Sequence, residues 1–427
     1  MTSRLAVLAL AALSAASPAM AERTVLSGGN VIDVRTGEVM NGSSILVEDG
    51  RITGMGSEDS LGLDGSETII DMKGAWLLPG LSDSHVHLTS TSADNGYQGL
   101  GVSLPRATIS GVVNAGKTLR AGFTTVRNVG AGGYADVALR DAIMEGDIPG
   151  PRVIPAGVAL GITGGHCDTN LLPFEYRDRA EGVADGPWAV RQKVRQNVKY
   201  GAEVIKFCGT GGVLSKGTKI GAQQFTAEEM EAIVDEAHLL GLKVAVHAHG
   251  ANGIRTAIEA GVDSVEHASL IDAESIQLAV DRGTFLSMDI YVSDFILSEG
   301  EAVGILPESL EKERQVGQAQ RESFERAVDA GARIAFGTDA GVYDHGLNGR
   351  QFAYMVDWGM TPLQAIQAAT INNAELFGMA DLIGAIEVGK EADIIAVDGN
   401  PLTDVTELED VGFVMVDGSV FANVLGE

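Results

Sequence analysis

His85 and His87 stand two residues apart in "LSDSHVHL", so on an extended chain both imidazoles leave the same face. Further along come Lys206 in "EVIKFCG", His247 and His249 in "KVAVHAHG", His267 in "SVEHAS" and Asp339 in "RIAFGTDAG". Imidazole and carboxylate are natural ligands of zinc and similar divalent ions, and a catalytic ion keeps one position open for water. A lone histidine carries little weight: His238, inside a helical stretch, reads as a surface or packing residue. The His-x-His pair says more. Combined with a lysine, further histidines and an aspartate, each closing a short apolar segment, it points to metal-assisted chemistry.

Eight such segments run through the middle of the chain: "AWLLPGLSDSHVHL", "TTVRNVG", "RVIPAGVAL", "EVIKFCG", "KVAVHAHG", "SVEHAS", "TFLSMD" and "RIAFGTDAG". Helical stretches of about 10–15 residues separate them, an alternation that implies parallel strands with crossover helices. One stretch starts at Thr226 as N-cap with Glu229 three residues on, and stops at Gly241 as a C-cap. Eight βα units predict a (β/α)8 TIM barrel, whose chemistry sits at the C-terminal ends of the strands, where the residues above fall. A doubly wound sheet would instead require a glycine-rich fingerprint after its first strand, and "LSDSHVH" is not one. Both chain ends read differently. "TVLSGGNVIDV", "GSSILVEDGRITGMG" and "SETIIDM" near the start, with "ADIIAVDGNPL" and "GFVMVDGSVFAN" near the end, alternate apolar and polar residues between turn signals. They predict a small β-sandwich domain made of residues 22–79 and 385–427, with the catalytic barrel over residues 80–384.

The 427 residues suffice for this large domain and its small companion. Hydrophobic residues are 45%, aromatics only 5%, and there are 55 glycines, a composition suited to many tight βα turns. A net charge of −28 with no basic cluster would repel phosphate backbones, which argues against a nucleic-acid partner. Met1–Ala21 reads as a signal peptide: Arg4, the apolar run Leu5–Ala16, and Ala19-Met20-Ala21 as a small-x-small cleavage site. The apolar run is too short to span a bilayer, so the mature protein is expected to be exported, periplasmic or secreted, without membrane insertion. Cys167 and Cys208 form no disulfide framework and read first as small buried side chains; a bridge between them stays open in an oxidising compartment.

"GLSDSHVHL" and "GTDAG" resemble the first-strand metal motif and eighth-strand aspartate of the amidohydrolase superfamily, and the resemblance covers essentially the whole mature chain. "ITGGH", "VIKFCGTGGV", "VAVHAHG" and "VEHAS" look like its imidazolonepropionase-like branch, which contains metal-dependent dipeptidases, carboxypeptidases and ochratoxin-hydrolysing amidases. "VIKF" departs from imidazolonepropionase proper, which holds one metal and has no bridging lysine. The resemblance implies two divalent ions, zinc by default. His85, His87 and Asp339 would hold one, His247 and His267 the other, and a carbamate on Lys206 would bridge them. From below the carbamate makes sense, because a lysine at a dry strand end has a lowered pKa and its neutral amine takes up carbon dioxide. The rival reading pairs Lys206 with Glu203 or Asp339 as an ordinary ion pair. His247 is preferred to His249 as a ligand only because the resemblance favours the first histidine of the pair.

The mechanism implied is attack by metal-activated hydroxide on an amide carbonyl, with Asp339 as proton shuttle. His249 and His166 of "ITGGH" become candidate catalytic and substrate contacts able to stabilise an oxyanion, with His345 a weaker candidate. This branch mostly cleaves amides to a C-terminal amino acid, whose free carboxylate needs a cation or donors. Arg127, Tyr134, Lys216 and Lys219 are the candidates. Dipeptides and N-acyl amino acids, including ochratoxin A (phenylalanine acylated by an isocoumarin acid), form one substrate hypothesis. A lactonase, phosphotriesterase or imidazolonepropionase-type hydrolase is the alternative, and a non-catalytic binding protein the second, disfavoured because every ligand is kept. A homo-oligomer is expected from the resemblance.

Overall fold

The computed structural model describes residues 23–426, so the leader expected over Met1–Ala21 lies outside the described residues. Five strands open the chain: β1 (Arg23–Ile32), β2 (Val39–Glu48), β3 (Arg51–Gly56), β4 (Thr68–Asp71) and β5 (Trp76–Pro79). Eight more follow: β6 (Leu81–Val86), β7 (Phe123–Asn128), β8 (Arg152–Pro155), β9 (Val204–Cys208), β10 (Lys243–Gly250), β11 (Ser264–Leu270), β12 (Phe285–Ser287) and β13 (Ile334–Ala335). The last three are β14 (Ile394–Val397), β15 (Phe413–Val416) and β16 (Ser419–Asn423).

The first five and last three strands join one mixed sheet in the order β16-β15-β14-β5-β1-β2-β3. β4 also pairs with β1, so the sheet forks there: Thr24–Ser27 pair with β4, and Asn30 and Val31 with β5. Leu26, Val31, Ile45, Leu77, Ile394 and Phe413 are buried in a core of their own on this sheet. The two ends of the chain therefore do meet, as their alternating patterns require.

The middle strands are parallel and form a three-stranded sheet, β6-β7-β8, and a five-stranded sheet, β9 to β13 in chain order. Hydrogen bonds also cross between these sheets. Leu160, just past β8, donates to the Lys206 carbonyl at 2.8 Å and accepts from the Cys208 amide at 2.9 Å. On the other side the Asp339 amide donates to the His85 carbonyl, and the His87 amide to that of Ala340, both at 2.8 Å. Every residue of β6, β7 and β9 is buried, as expected of parallel strands covered on both faces.

Helices cover the outside between consecutive strands: α1 (Leu104–Arg120), α2 (Ala135–Met144), α3 (Pro187–Lys199), α4 (Ala227–Leu239), α5 (Ala251–Ala260) and α6 (Ala273–Arg282). Two helices, α7 (Val292–Glu299) and α8 (Pro307–Asp329), fill the connection from β12 to β13. α4 starts as its sequence requires: the Thr226 hydroxyl accepts from the Glu229 amide, and the Glu229 carboxylate accepts from the Thr226 amide. It stops with Leu240 as cap and Gly241 beyond it at φ 80°, a left-handed position that glycine adopts without penalty.

One expected element divides in two. "AWLLPGLSDSHVHL" reads as a single strand, but β5 belongs to the mixed sheet and β6 to the parallel set. Gly80 makes the crossing. A Cβ there would lie 2.1 Å from the Thr124 hydroxyl, so only glycine permits this close passage.

Candidate metal centre

On β9 and β10, Lys206 faces Ala245 and Cys208 faces His247 in register, so all four side chains share one face of the sheet. In the same way His247 pairs with Glu266 on β11. Strict alternation would then send His267 to the opposite face. The chain avoids this by entering the left-handed region at His267 (φ 68°) and Ala268 (φ 48°), and Asp339 does the same at φ 56°. Non-glycine residues held there cost on the order of 1–3 kcal/mol each and cluster at functional sites. The strain lets two successive residues, Glu266 and His267, both reach the site.

The side chains converge on a cavity of about 690 Å³ lined by His85, His87, His166, Lys206, His247, His249, His267 and Asp339. Asp339 Oδ1 lies 3.4 Å from Nε2 of both His85 and His87. The rings of His247 and His267 are 4.5 Å apart between centroids, and those of His85 and His267 4.9 Å. Potential ligand atoms of His85, His87 and Asp339 lie within 4.8 Å of one another, as do those of His247, His249 and His267, and of His267, Asp289 and Asp339. His247 Nε2 is buried with no hydrogen-bond partner among the described residues, which suits a ligand nitrogen. Donor types, spacing and this orphaned nitrogen together fit divalent metal binding.

The partners of each Nδ1 sort the histidines. His85 Nδ1 meets Glu266 Oε2, and His267 Nδ1 meets Asp289 Oδ1, both at 2.9 Å. A carboxylate only accepts, so Nδ1 carries the proton in both rings, and in the neutral ring Nε2 keeps its lone pair for a metal. His249 Nδ1 instead meets the Ser269 hydroxyl at 2.8 Å, and His166 Nδ1 the Ser215 hydroxyl at 2.8 Å. A hydroxyl can donate to Nδ1, which leaves Nε2–H as a donor on a cavity-lining ring. Burial, with the charges of neighbouring histidines, lowers His247 and His249 well below the usual histidine range. His166 opens to the cavity, yet surrounding atoms and then the charges of His267 and Lys206 bring its pKa down to about 3. Its ring stacks on His247 at 4.0 Å.

Lys206 is buried, and burial lowers its pKa to about 8, so a share of neutral amine exists near neutrality. The rival ion pair is not found among the described residues: Glu203 bonds Arg140 instead, and Asp339 bonds His85 and His87. Burial would raise Asp339, but His85 and His87 hold its carboxyl well below the usual range, so it is ionised.

Several expected substrate contacts are elsewhere. Arg127 is buried beneath the site: Nε donates to the Ser84 carbonyl, Nη1 to the Ser264 hydroxyl and Nη2 to Glu266 Oε1, at 2.6, 3.0 and 2.8 Å. It supports His85 through Glu266 and does not touch the cavity. Tyr134 is not among the lining residues, and its hydroxyl donates to the buried Asn197 Oδ1 at 3.1 Å. Lys216 donates to the Tyr97 hydroxyl at 2.7 Å, and neither it nor Lys219 lines the cavity. His345 is buried between Thr118 and the His87 carbonyl, while His238 pairs with Asp263 at the surface. The cysteines, read first as separate buried side chains, are paired: Cys167 and Cys208 form a disulfide with Cα atoms 5.8 Å apart.

Sequence reasoning missed Glu266, Asp289 and Gln320. Glu266 is adjacent to a ligand candidate in "VEHAS", and strand alternation puts neighbouring residues on opposite faces. Asp289 closes "TFLSMD", so the strand-end signal that marked Asp339 was present. Gln320, which donates to Asp289 Oδ1 at 2.8 Å and to the His267 carbonyl at 3.2 Å, lies mid-helix on α8 and carries no such signal.

Comparison with known proteins follows the same lines. A sequence model described as the amidohydrolase family matches residues 76–421. An ochratoxinase from Aspergillus niger is 33% identical over 414 residues, which cover 91% of this chain and 84% of that protein. A crystal structure of an Xaa-Pro dipeptidase with bound methionine in its active site superposes with a TM-score of 0.88 at 38% identity, covering 94% of this chain and all of the other. A prolidase complexed with N-methylphosphonate-L-proline gives 0.86 at 32%, with coverage of 94% and 100%.

Proposed function

Because this chain belongs to the amidohydrolase family and is a hydrolytic enzyme acting on amide bonds, we propose that it cleaves the amide bond to a C-terminal amino acid at a two-metal site. His85, His87 and Asp339 would hold one ion, His247 and His267 the other, and carboxylated Lys206 would bridge them. The observation that carries this reading is the tethering of His85 and His267 by Glu266 and Asp289, which leaves Nε2 of both rings for an ion, that of His85 3.4 Å from Asp339. The two ions, zinc by default, would lower the pKa of the attacking water and polarise the scissile carbonyl.

The chain's own groups do the rest. Asp339, ionised and open to the cavity, accepts the proton of the attacking water and returns it to the leaving nitrogen. His249 and His166 present N–H groups to the oxygen of the tetrahedral species. Glu266 and Asp289 keep their histidines in one orientation, and Arg127 keeps Glu266 charged against the cost of burial. A dipeptidase, a prolidase and an ochratoxinase among the relatives support a dipeptide or N-acyl amino acid as substrate.

The same proposal takes the eight parallel strands as a closed (β/α)8 barrel over residues 80–384, supported by the hydrogen bonds across both seams. The forked sheet serves as a β-sandwich companion built from residues 22–79 and 385–427. The disulfide supports export to an oxidising compartment. The enzyme would act as a homo-oligomer.

The test combines metal analysis of the purified enzyme with turnover of Xaa-Pro, Xaa-Arg, Xaa-Phe and N-acyl-phenylalanine substrates, beside a lactone and a phosphotriester. Two bound ions per chain and amide turnover are expected. Near-zero metal, or turnover confined to the ester substrates, would reject the reading.

A further inference from the structure

Five carboxylates line the cavity: Asp94, Glu181, Asp289, Glu313 and Asp339. Among the described residues no arginine lines it, and its one lysine, Lys206, is taken up by the proposed metal bridge. Four of the five have evident work. Asp94 caps the turn at Thr91, Glu181 accepts the Gly133 amide, Asp289 orients His267, and Asp339 sits between His85 and His87. Glu313, on α8, has none of these duties.

Glu313 is 3% exposed and lines the cavity, as do Val292 and Ile296 on α7 and Val316 one turn on along α8. Its side-chain partner is the Ser293 hydroxyl. No lysine or arginine pairs with it among the described residues; the nearby Arg321 is engaged with Asp294. Holding Ser293 needs only an uncharged acceptor, which a glutamine supplies without burying an acid. Burial, with Asp289 adding to it, raises the Glu313 pKa to about 7. A carboxyl kept in such a place gains its missing counter-charge when a cation enters the cavity.

The helix sets the distance. Gln320 buttresses Asp289 and His267 at the metal end, and Glu313 is seven residues earlier, about 10 Å along the axis. Glu313 therefore enters the cavity wall at a different level of the helix from Gln320.

We propose that Glu313 binds a protonated nitrogen of the substrate, so that the cavity selects amides bearing an ammonium or guanidinium group over neutral ones of the same shape. This rests on the amide-hydrolase reading above and narrows it. Two sources share the chemistry, a basic side chain and the free α-ammonium of a dipeptide.

The experiment compares the metal-loaded wild type with Glu313→Gln, a variant that keeps the Ser293 hydrogen bond. Four dipeptide substrates carry arginine or its neutral isostere citrulline, with the α-amine free or acetylated. For the substrates whose charge reaches Glu313, kcat/KM should fall about tenfold or more, mainly through KM. Their neutral counterparts should change by less than about twofold. A loss tied to arginine assigns the side chain; a loss tied to the free amine assigns the α-ammonium. Equal losses on all four, or none, would overturn the proposal. A wild type that turns over only neutral N-acyl amides would also overturn it while leaving the hydrolase intact, whereas no amide turnover at all would bring down the hydrolase itself.

Discussion

Glu266 and Asp289 each accept a hydrogen bond from the Nδ1–H of a histidine, and in doing so commit the other ring nitrogen of His85 and His267. Asp339 has a different part, ionised between two imidazoles. In Asp339→Asn the shape survives while the proton acceptor is lost, so circular dichroism should be unchanged and kcat should fall by about 10²–10⁴-fold. Turnover above about a tenth of wild type would reject the shuttle. Lys206→Ala should lose at least one of two ions by metal analysis and more than about a hundredfold in turnover, since even outer-shell partners of a ligand cost about 10–100-fold. Full retention of both ions would exclude the bridge. The ligand candidates were legible because their residue types recur at strand ends. Arg127 was misread for the same reason: its position at the end of "TTVRN" is right for a site residue, but nothing in the spacing says that it points down toward Glu266.

At the next scale, the elements decide which residues can meet. Alternation along β11 should separate Glu266 from His267, and the left-handed turn at His267 and Ala268 reunites them. Sequence periodicity cannot announce such a break, which is paid in local strain. Gly80 was equally silent: "AWLLPGLSDSHVHL" shows a continuous apolar run, and only the contact with Thr124 reveals two strands in two sheets. The disulfide acts at this scale too. Cys208 is two residues past Lys206 on β9, and Cys167 follows His166, so the bridge fastens the loop carrying His166 to the strand carrying the lysine. Replacing both cysteines by serine should lower stability by about 2–4 kcal/mol in denaturant melts, for a closed loop of this size. Turnover should fall with His166 less firmly stacked on His247, while both ions stay bound. If the replacement left turnover unchanged, the loop would hold His166 without the bridge.

In the whole molecule, the proposed ligands come from both parallel sheets: His85 and His87 from the three-stranded one, Lys206, His247 and His267 from the five-stranded one. The Arg127–Glu266 pair spans the same divide, from β7 to β11. Arg127→Met should destabilise the protein by about 3–5 kcal/mol, because Glu266 is left buried without its counter-charge. Adding Glu266→Gln should recover part of that loss in a double-mutant cycle, and strictly additive losses would mean that the two residues act independently. The alternation of strands and helices, the meeting of the chain ends and the gathering of the candidate ligands at one cavity were legible, because they follow from periodicity and order along the chain. The direction in which the interior charges point was not.

The disulfide also bears on how the protein would survive among proteases. Between its two cysteines, 41 positions apart, the chain carries Phe174 and Tyr176, which are 84% and 69% exposed. A protease that prefers aromatic residues has its opening there, and a cut would sever the chain between the two parallel sheets. The pieces would nonetheless stay covalently joined, with Cys167 on one and Cys208 on the other. Limited chymotrypsin treatment should therefore yield a species that migrates as one band without reductant and as two with it.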